Sequence, residues 1–222
     1  MTNQAPGSHE FTVTGSELLL QSPILAVRRD HVVMPGGEEK TREVVEHFGA
    51  VAIAAVDDSG RVALIHQYRH SVGRRLTELP AGLLDIAGED PLTGAQRELQ
   101  EEAGLRADHW DVVADLVTSP GFCDEACRVY LASGLSEIDR PVAEGDEETD
   151  LTMEWVDLAE ARALVLAGEI SNSIAVAGIF AASEVVHRGG TPRPADAEFA
   201  LRPSALSQRR QDDGIAPDMK KI

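Results

Sequence analysis

GLLDIAGEDPLTGAQRELQEEAGL, residues Gly82 to Leu105, carries Glu98, Glu101 and Glu102 within five residues of one short helix. Asp90 suits the N-cap, Pro91 the first helical position and Gly104 the left-handed residue beyond the end, so the spacing predicts a helix over 91–103. At 100° per residue, Leu92, Ala95, Leu99 and Ala103 form one narrow apolar stripe, which is the expected buried face. Glu98 and Glu102 fall beside that stripe, with Glu101 and Arg97 further round. A pair at i, i+4 has Cβ atoms about 6 Å apart, and like charges at that spacing cost a helix a few tenths of a kcal/mol unless a cation lies between them. A hard divalent ion meets that need, and carboxylate, carbonyl and water ligands favour Mg²⁺ or Mn²⁺. The competing explanation, a merely solvated Glu-rich face, loses ground because the acids follow a glycine-containing loop and a strand-like stretch from Leu76 to Pro80.

Composition narrows the function classes. The chain has 222 residues, 43% of them hydrophobic and 26% charged, with a formal net charge of −18. That size buries a full core as one domain with a smaller appendage. The negative balance argues against nucleic acid as a partner, since phosphate neutralisation needs clustered Lys and Arg. It would also repel a small polyanion, so phosphate chemistry here must rest on metal ions and a few placed arginines. No basic stretch followed by an apolar run marks a secretory signal, and the most apolar run, Ser173 to Ala182, is too short to span a bilayer. A cytoplasmic setting without membrane partners is therefore expected. Cys123 and Cys127 fit no common zinc pattern and read as two reduced thiols. The seven histidines show no metal-ligand spacing, and Phe122, in a glycine-containing loop, is a candidate for stacking on a base.

Alternating stretches at 10–20, 24–34 and 40–48, broken at Ser22-Pro23 and Pro35-Gly36-Gly37, predict a three-stranded antiparallel sheet as the appendage. The stretches 50–56 and 61–68, joined by Asp57-Asp58-Ser59-Gly60, read as a hairpin whose first strand is apolar enough to be buried on both faces. Strands are expected at 110–118, 126–132 and 151–156, and helices at 158–167 and 173–187. This order describes an α/β layered fold with a mixed sheet. It divides into an N-terminal β subdomain (1–48), a main domain (49–190) and a tail (191–222). The tail loses periodicity and is expected to be mobile or held by a partner subunit.

Three further features point to chemistry. Ala81 lies where the chain turns, so its carbonyl can serve as a neutral oxygen ligand. The segment 141–150 holds five acids and precedes a strand, which makes it a loop at a sheet end able to close over a site. Glu147 is the choice for a general base there, and Glu148 the reserve. Arg42, Arg69 and the pair Arg74-Arg75 lie upstream, where a guanidinium fork can bind phosphate bidentately. As single residues they read equally as surface arginines, Arg74 and Arg75 above all.

The run from Glu89 to Leu105, with Arg-Glu-Leu-x-Glu-Glu-x-Gly-Leu at its end, resembles the Nudix box at every specified position. It departs once, with six residues instead of five between Gly82 and Glu89. That reads as a lengthened loop, since the spacing of the acids is untouched. Thr41-Arg42-Glu43, Gln67-Tyr68-Arg69, Glu78-Leu79-Pro80-Ala81-Gly82, Ser119-Pro120-Gly121 and Asn172-Ser173 extend the likeness to the ADP-ribose pyrophosphatase branch, in its actinobacterial form. The resemblance implies the Nudix α/β/α sandwich, and Mg²⁺, with Mn²⁺ able to substitute, held by Ala81 O, Glu98 and Glu102 with Glu101 nearby. It also implies Arg42 near the adenosine end and acting across a homodimer interface, Arg69 and Glu78 beside the diphosphate, and Glu147 as loop base. The implied reaction is hydrolysis of ADP-ribose to AMP and ribose 5-phosphate. Two alternatives remain: hydrolysis of another nucleoside diphosphate derivative, such as a nucleotide sugar or dinucleotide, and a non-catalytic ADP-ribose sensor. A sensor would have lost box acids or gained a DNA-binding helix, and neither is seen in the sequence.

Overall fold

A computed structural model describes residues 7–140 and 150–221 of the chain. Its strands are β1 (Val13–Gln21), β2 (Ala26–Val33), β3 (Glu39–Glu46), β4 (Ala50–Ala55), β5 (Arg61–Arg69), β6 (Arg74–Glu78), β7 (Ala81–Leu83), β8 (Leu105–Val117), β9 (Ala126–Glu137), β10 (Thr152–Asp157) and β11 (Arg193–Pro194). The helices are α1 (Pro91–Ala103), α2 (Leu158–Ala167), α3 (Ser173–Arg188) and α4 (Ala205–Asp212).

β1, β2 and β3 form the expected antiparallel sheet, turned at Met34 to Gly37, where Gly37 takes φ 82°. The main sheet has order β11-β8-β9-β4-β7 and is mixed, with β4 parallel to β9 and antiparallel to β7. Every residue of β4 is buried, as its uninterrupted apolar run requires of a central strand. Its alternate side chains feed two cores: Ala52 and Ala54 pack with Val129, Ile179 and Ala182 on the α2/α3 side, and Val51, Ile53 and Ala55 with Ala95, Leu99 and Tyr130 on the α1 side. Helices on both faces of a mixed sheet give the α/β/α sandwich.

Two expectations fail. The turn after β4 forms, with Asp57 Oδ1 accepting from the Ser59 and Arg61 amides, yet one bridge, Val56 to Val62, is all that remains of the hairpin. Beyond it β5 joins a separate sheet of order β10-β5-β6. Adjacency in sequence favours pairing, but β7 and β9 occupy both edges of β4, while α1 on one side and α2 and α3 on the other cover its two apolar faces.

The tail is the second correction, since it packs on its own chain. Arg128 is 2% exposed and binds Asp115 through Nε (2.8 Å) and Nη2 (3.0 Å). It also donates to the Ala197 and Glu198 carbonyls and stacks 4.5 Å from the Phe199 ring centroid. Further on, Leu206 and Met219 close over Ala26 and Phe48. A few buried anchors and a buried guanidinium hold this segment, and periodicity reports neither.

Glu46, 1% exposed at the end of β3, fastens α4 to the N-terminal sheet: Arg209 reaches it at 3.0 and 2.8 Å and Arg28 at 3.0 Å. Burial, the largest single influence, opposes ionisation, but hydrogen bonds and charge from Arg209 and Arg28 together outweigh it and hold the carboxyl below its usual range. A lowered folded pKa contributes stability that is present above the unfolded value of about 4.5 and lost as pH falls through the folded value. Glu46→Gln should therefore unfold more easily at pH 7, by about 2 to 4 kcal/mol since it leaves two guanidinium groups short of charge. The gap to wild type should narrow below pH 4.5, which denaturant titrations across pH check.

Candidate active site

The helix α1 forms as its caps dictate. The Asp90 side chain accepts from the Leu92 amide at 2.9 Å, Pro91 opens the helix, and Gly104 at φ 64° closes it. Ala95 and Leu99 are fully buried, with Leu92 and Ala103 packed against the same core. This stripe sets the rotation of the helix and turns Glu98 and Glu102 toward β7. Glu102 Oε2 accepts from the Ala81 amide at 2.8 Å.

Gly82 is where helix and strand come closest. A Cβ at that residue would stand 2.0 Å from Glu98 Cδ, so the absence of a side chain makes the cradle in which the Glu98 carboxyl lies. Arg97 holds the acids in place: Nη1 donates to Glu98 (2.6 Å) and Glu101 (3.1 Å), while Nε and Nη2 reach Glu89 at 3.3 Å. On the other side of the opening, Arg69 Nε and Nη2 fork onto the buried Glu78 at 3.0 and 2.8 Å.

These groups line one cleft of about 850 Å³. Six carboxylates face it (Glu78, Asp85, Glu98, Glu101, Glu102 and Glu125) against three permanent cations, Arg69, Arg97 and Lys220. The Glu98 carboxyl is pushed up to about 7. Burial is the main cause; the Arg97 charge opposes it, and Glu101 and Asp85 reinforce it. Among the described residues, no three acidic, His or Cys side chains already converge on one ion. Their oxygens are turned to Arg97 and to the Ala81 amide. The donor set nevertheless fits a hard divalent cation: it is all oxygen, in excess negative charge, and cradled against a glycine.

The structure thus brings together Arg69, Glu78, Ala81, Glu98, Glu101 and Glu102. Within one chain Arg42 stays on the outer sheet, donating to the Thr41 carbonyl, and does not line the cleft. Arg75 pairs with Asp150, away from the cleft, and Arg74 is exposed on β6. Glu147 and Glu148 lie outside the described residues. Sequence reasoning missed Asp85 and Lys220, which line the same cleft. Asp85 stood within the quoted stretch but carried no pattern, and Lys220 lay in a tail without periodicity.

A hydrolase fold and an acid-lined cleft meet here, and the chain belongs to the Nudix family: the NUDIX domain matches residues 46–175, and the nucleoside diphosphate sugar hydrolase N-terminal domain matches residues 11–45. Hydrolases of this family generally act with a divalent metal ion. The chain is 56% identical over 204 residues to the ADP-ribose pyrophosphatase of Mycobacterium tuberculosis, covering 92% of this chain and 98% of that one. It is 37% identical over 145 residues to a methanol dehydrogenase activator of Bacillus methanolicus, covering 65% and 75%. The crystal structure of an ADP compounds hydrolase shares the fold, with TM-score 0.70 at 23% identity over 82% of this chain and 97% of that one.

Proposed function

We propose that the protein hydrolyses the diphosphate of ADP-ribose to AMP and ribose 5-phosphate, with Mg²⁺ as cofactor and Mn²⁺ able to substitute. The observation that carries this reading is the pair Glu98 and Glu102 facing one acid-rich cleft, in a chain so similar to an ADP-ribose pyrophosphatase along nearly its whole length. Divalent ions bound by Glu98, Glu102, Glu101 and the Ala81 carbonyl would offset phosphate charge and lower the pKa of the attacking water. Arg97 orients Glu98 and Glu101 through its fork, and Glu89 fixes Arg97 from behind. Glu78 holds the Arg69 guanidinium at the cleft, where it can meet a phosphate oxygen.

Glu147, with Glu148 in reserve, is our choice of base: it takes the proton of water as the oxygen attacks phosphorus and the bridging P–O bond breaks. No covalent intermediate is needed. We assign Arg42 to the adenosine end of a partner's site in a homodimer built through the 1–48 sheet, with 49–190 as the catalytic domain. No helix among the described residues is long and apolar enough to cross a membrane, which agrees with a cytoplasmic setting.

The test is a rate screen over ADP-ribose, nucleotide sugars, NADH and diadenosine polyphosphates, each with Mg²⁺ and with EDTA. ADP-ribose should give the highest kcat/KM, with turnover abolished by EDTA. A higher kcat/KM on any competitor overturns the substrate, and turnover that survives EDTA overturns the metal reading.

A further inference from the structure

The loop from Leu84 to Asp90, which holds the extra residue between Gly82 and Glu89, is bound by the far end of the chain. Ala87 N donates to the Pro217 carbonyl (2.9 Å), Met219 N donates to the Asp85 carbonyl (3.0 Å), and Ile86 pairs with Asp218 as an antiparallel bridge. Met219 is 1% exposed in the core it shares with Phe48, so residues 217–220 are anchored. The next residue, Lys220, extends into the cleft, where its Nζ lies 2.6 Å from Asp85 Oδ2. The Asp85 side chain is 5% exposed, and the Glu98 carboxylate acts on the same ammonium.

An ammonium fixed on a buried carboxylate beside Glu98 changes the charge that an incoming cation meets. We propose that Lys220 is a positioning residue of the active site: paired with Asp85, it sets the net charge of the acid cleft and thereby limits its affinity for divalent cations. The inference rests on the metal-site reading above. Lys220 touches neither the metal nor the reacting phosphate in this role. It stabilises the acid cluster when no ion is bound and would oppose an ion on arrival, because positive charges sharing one cleft repel through a medium of reduced dielectric.

Calorimetric titration of Mn²⁺ into the metal-free full-length protein, with thermal midpoints measured in EDTA, tests this. Lys220→Met should bind Mn²⁺ on the order of tenfold tighter than wild type, with a lower metal-free midpoint because Asp85 loses its partner. Lys220→Arg should keep both values near wild type. Asp85→Asn, which leaves the ammonium unopposed, should bind on the order of tenfold more weakly. The double variant D85N/K220M, in which the pair's charges are removed together, should return to within about threefold of wild type. Unchanged or weaker Mn²⁺ binding by Lys220→Met overturns the proposal, and a lower midpoint with unchanged affinity reduces Lys220 to a structural clamp. Should Lys220→Met fail to fold, failure of the double variant to recover the affinity lost in Asp85→Asn overturns it equally. No Mn²⁺ binding by wild type would instead remove the metal-site reading itself.

Discussion

Glu98→Gln and Glu102→Gln should each lower kcat/KM by about three orders of magnitude, close to 4 kcal/mol of transition-state stabilisation. Each removes one anionic oxygen from the edge of the cleft and leaves a side chain of the same shape. The fold should survive both changes. Glu102 accepts the Ala81 amide with one oxygen, an interaction that a glutamine carbonyl can keep. Arg97 retains Glu89 and Glu101 when Glu98 is neutralised. Metal-free stability should even shift in favour of Glu98→Gln at neutral pH. The Glu98 carboxyl is raised from 4.5 to about 7, chiefly by burial. A raised folded pKa gives stability that is full below the unfolded value and is lost as pH climbs through the folded one. Wild type should therefore lose stability relative to Glu98→Gln between about pH 4.5 and 7. Steady-state kinetics with Mg²⁺ and thermal melts in EDTA separate the two effects, and full turnover by both variants would remove these acids from the site.

Gly82→Ala should also be damaging to activity while replacing no ionisable group. The new methyl would stand 2.0 Å from Glu98 Cδ and 2.1 Å from Oε1. What it meets is the far end of a flexible side chain, so Glu98 swings aside and the backbone stays in place. The expected result is a loss of stability of about 1 kcal/mol with a fall in kcat/KM of about 100-fold or more. Reduced Mn²⁺ binding should accompany it. A variant that keeps wild-type turnover would show that the Glu98 carboxyl need not rest against β7 during the reaction.

The features legible in the sequence were those governed by local rules. Asp90, Pro91 and Gly104 bounded α1 because caps act within one turn, and the Leu92, Ala95, Leu99 and Ala103 stripe aimed its acids because helical rotation follows burial. Helices α2 and α3 end at Gly168 and Gly189 for the same reason. What stayed hidden depended on contacts between distant residues. The parting of β4 and β5 into different sheets follows from β9, some 75 residues further on. The docking of the tail rests on single anchors, Met219, Arg128 and Arg209, that no periodicity announces. Within the cleft, the box pattern marked the helix acids, whereas Asp85 and Lys220 met only through a chain reversal between residues 85 and 218.

The Glu46 clamp and the small core of Ala26, Phe48, Leu206 and Met219 have a bearing on biosynthesis. A ribosome delivers the first two of these core residues some 160 positions ahead of the last two. Phe48, 1% exposed once enclosed, must wait uncovered beside a glutamate that still lacks Arg209. The nascent chain is thus sticky at this corner until residues 206–219 have been made, and a truncation before residue 205 would yield a product with that seam open and prone to self-association.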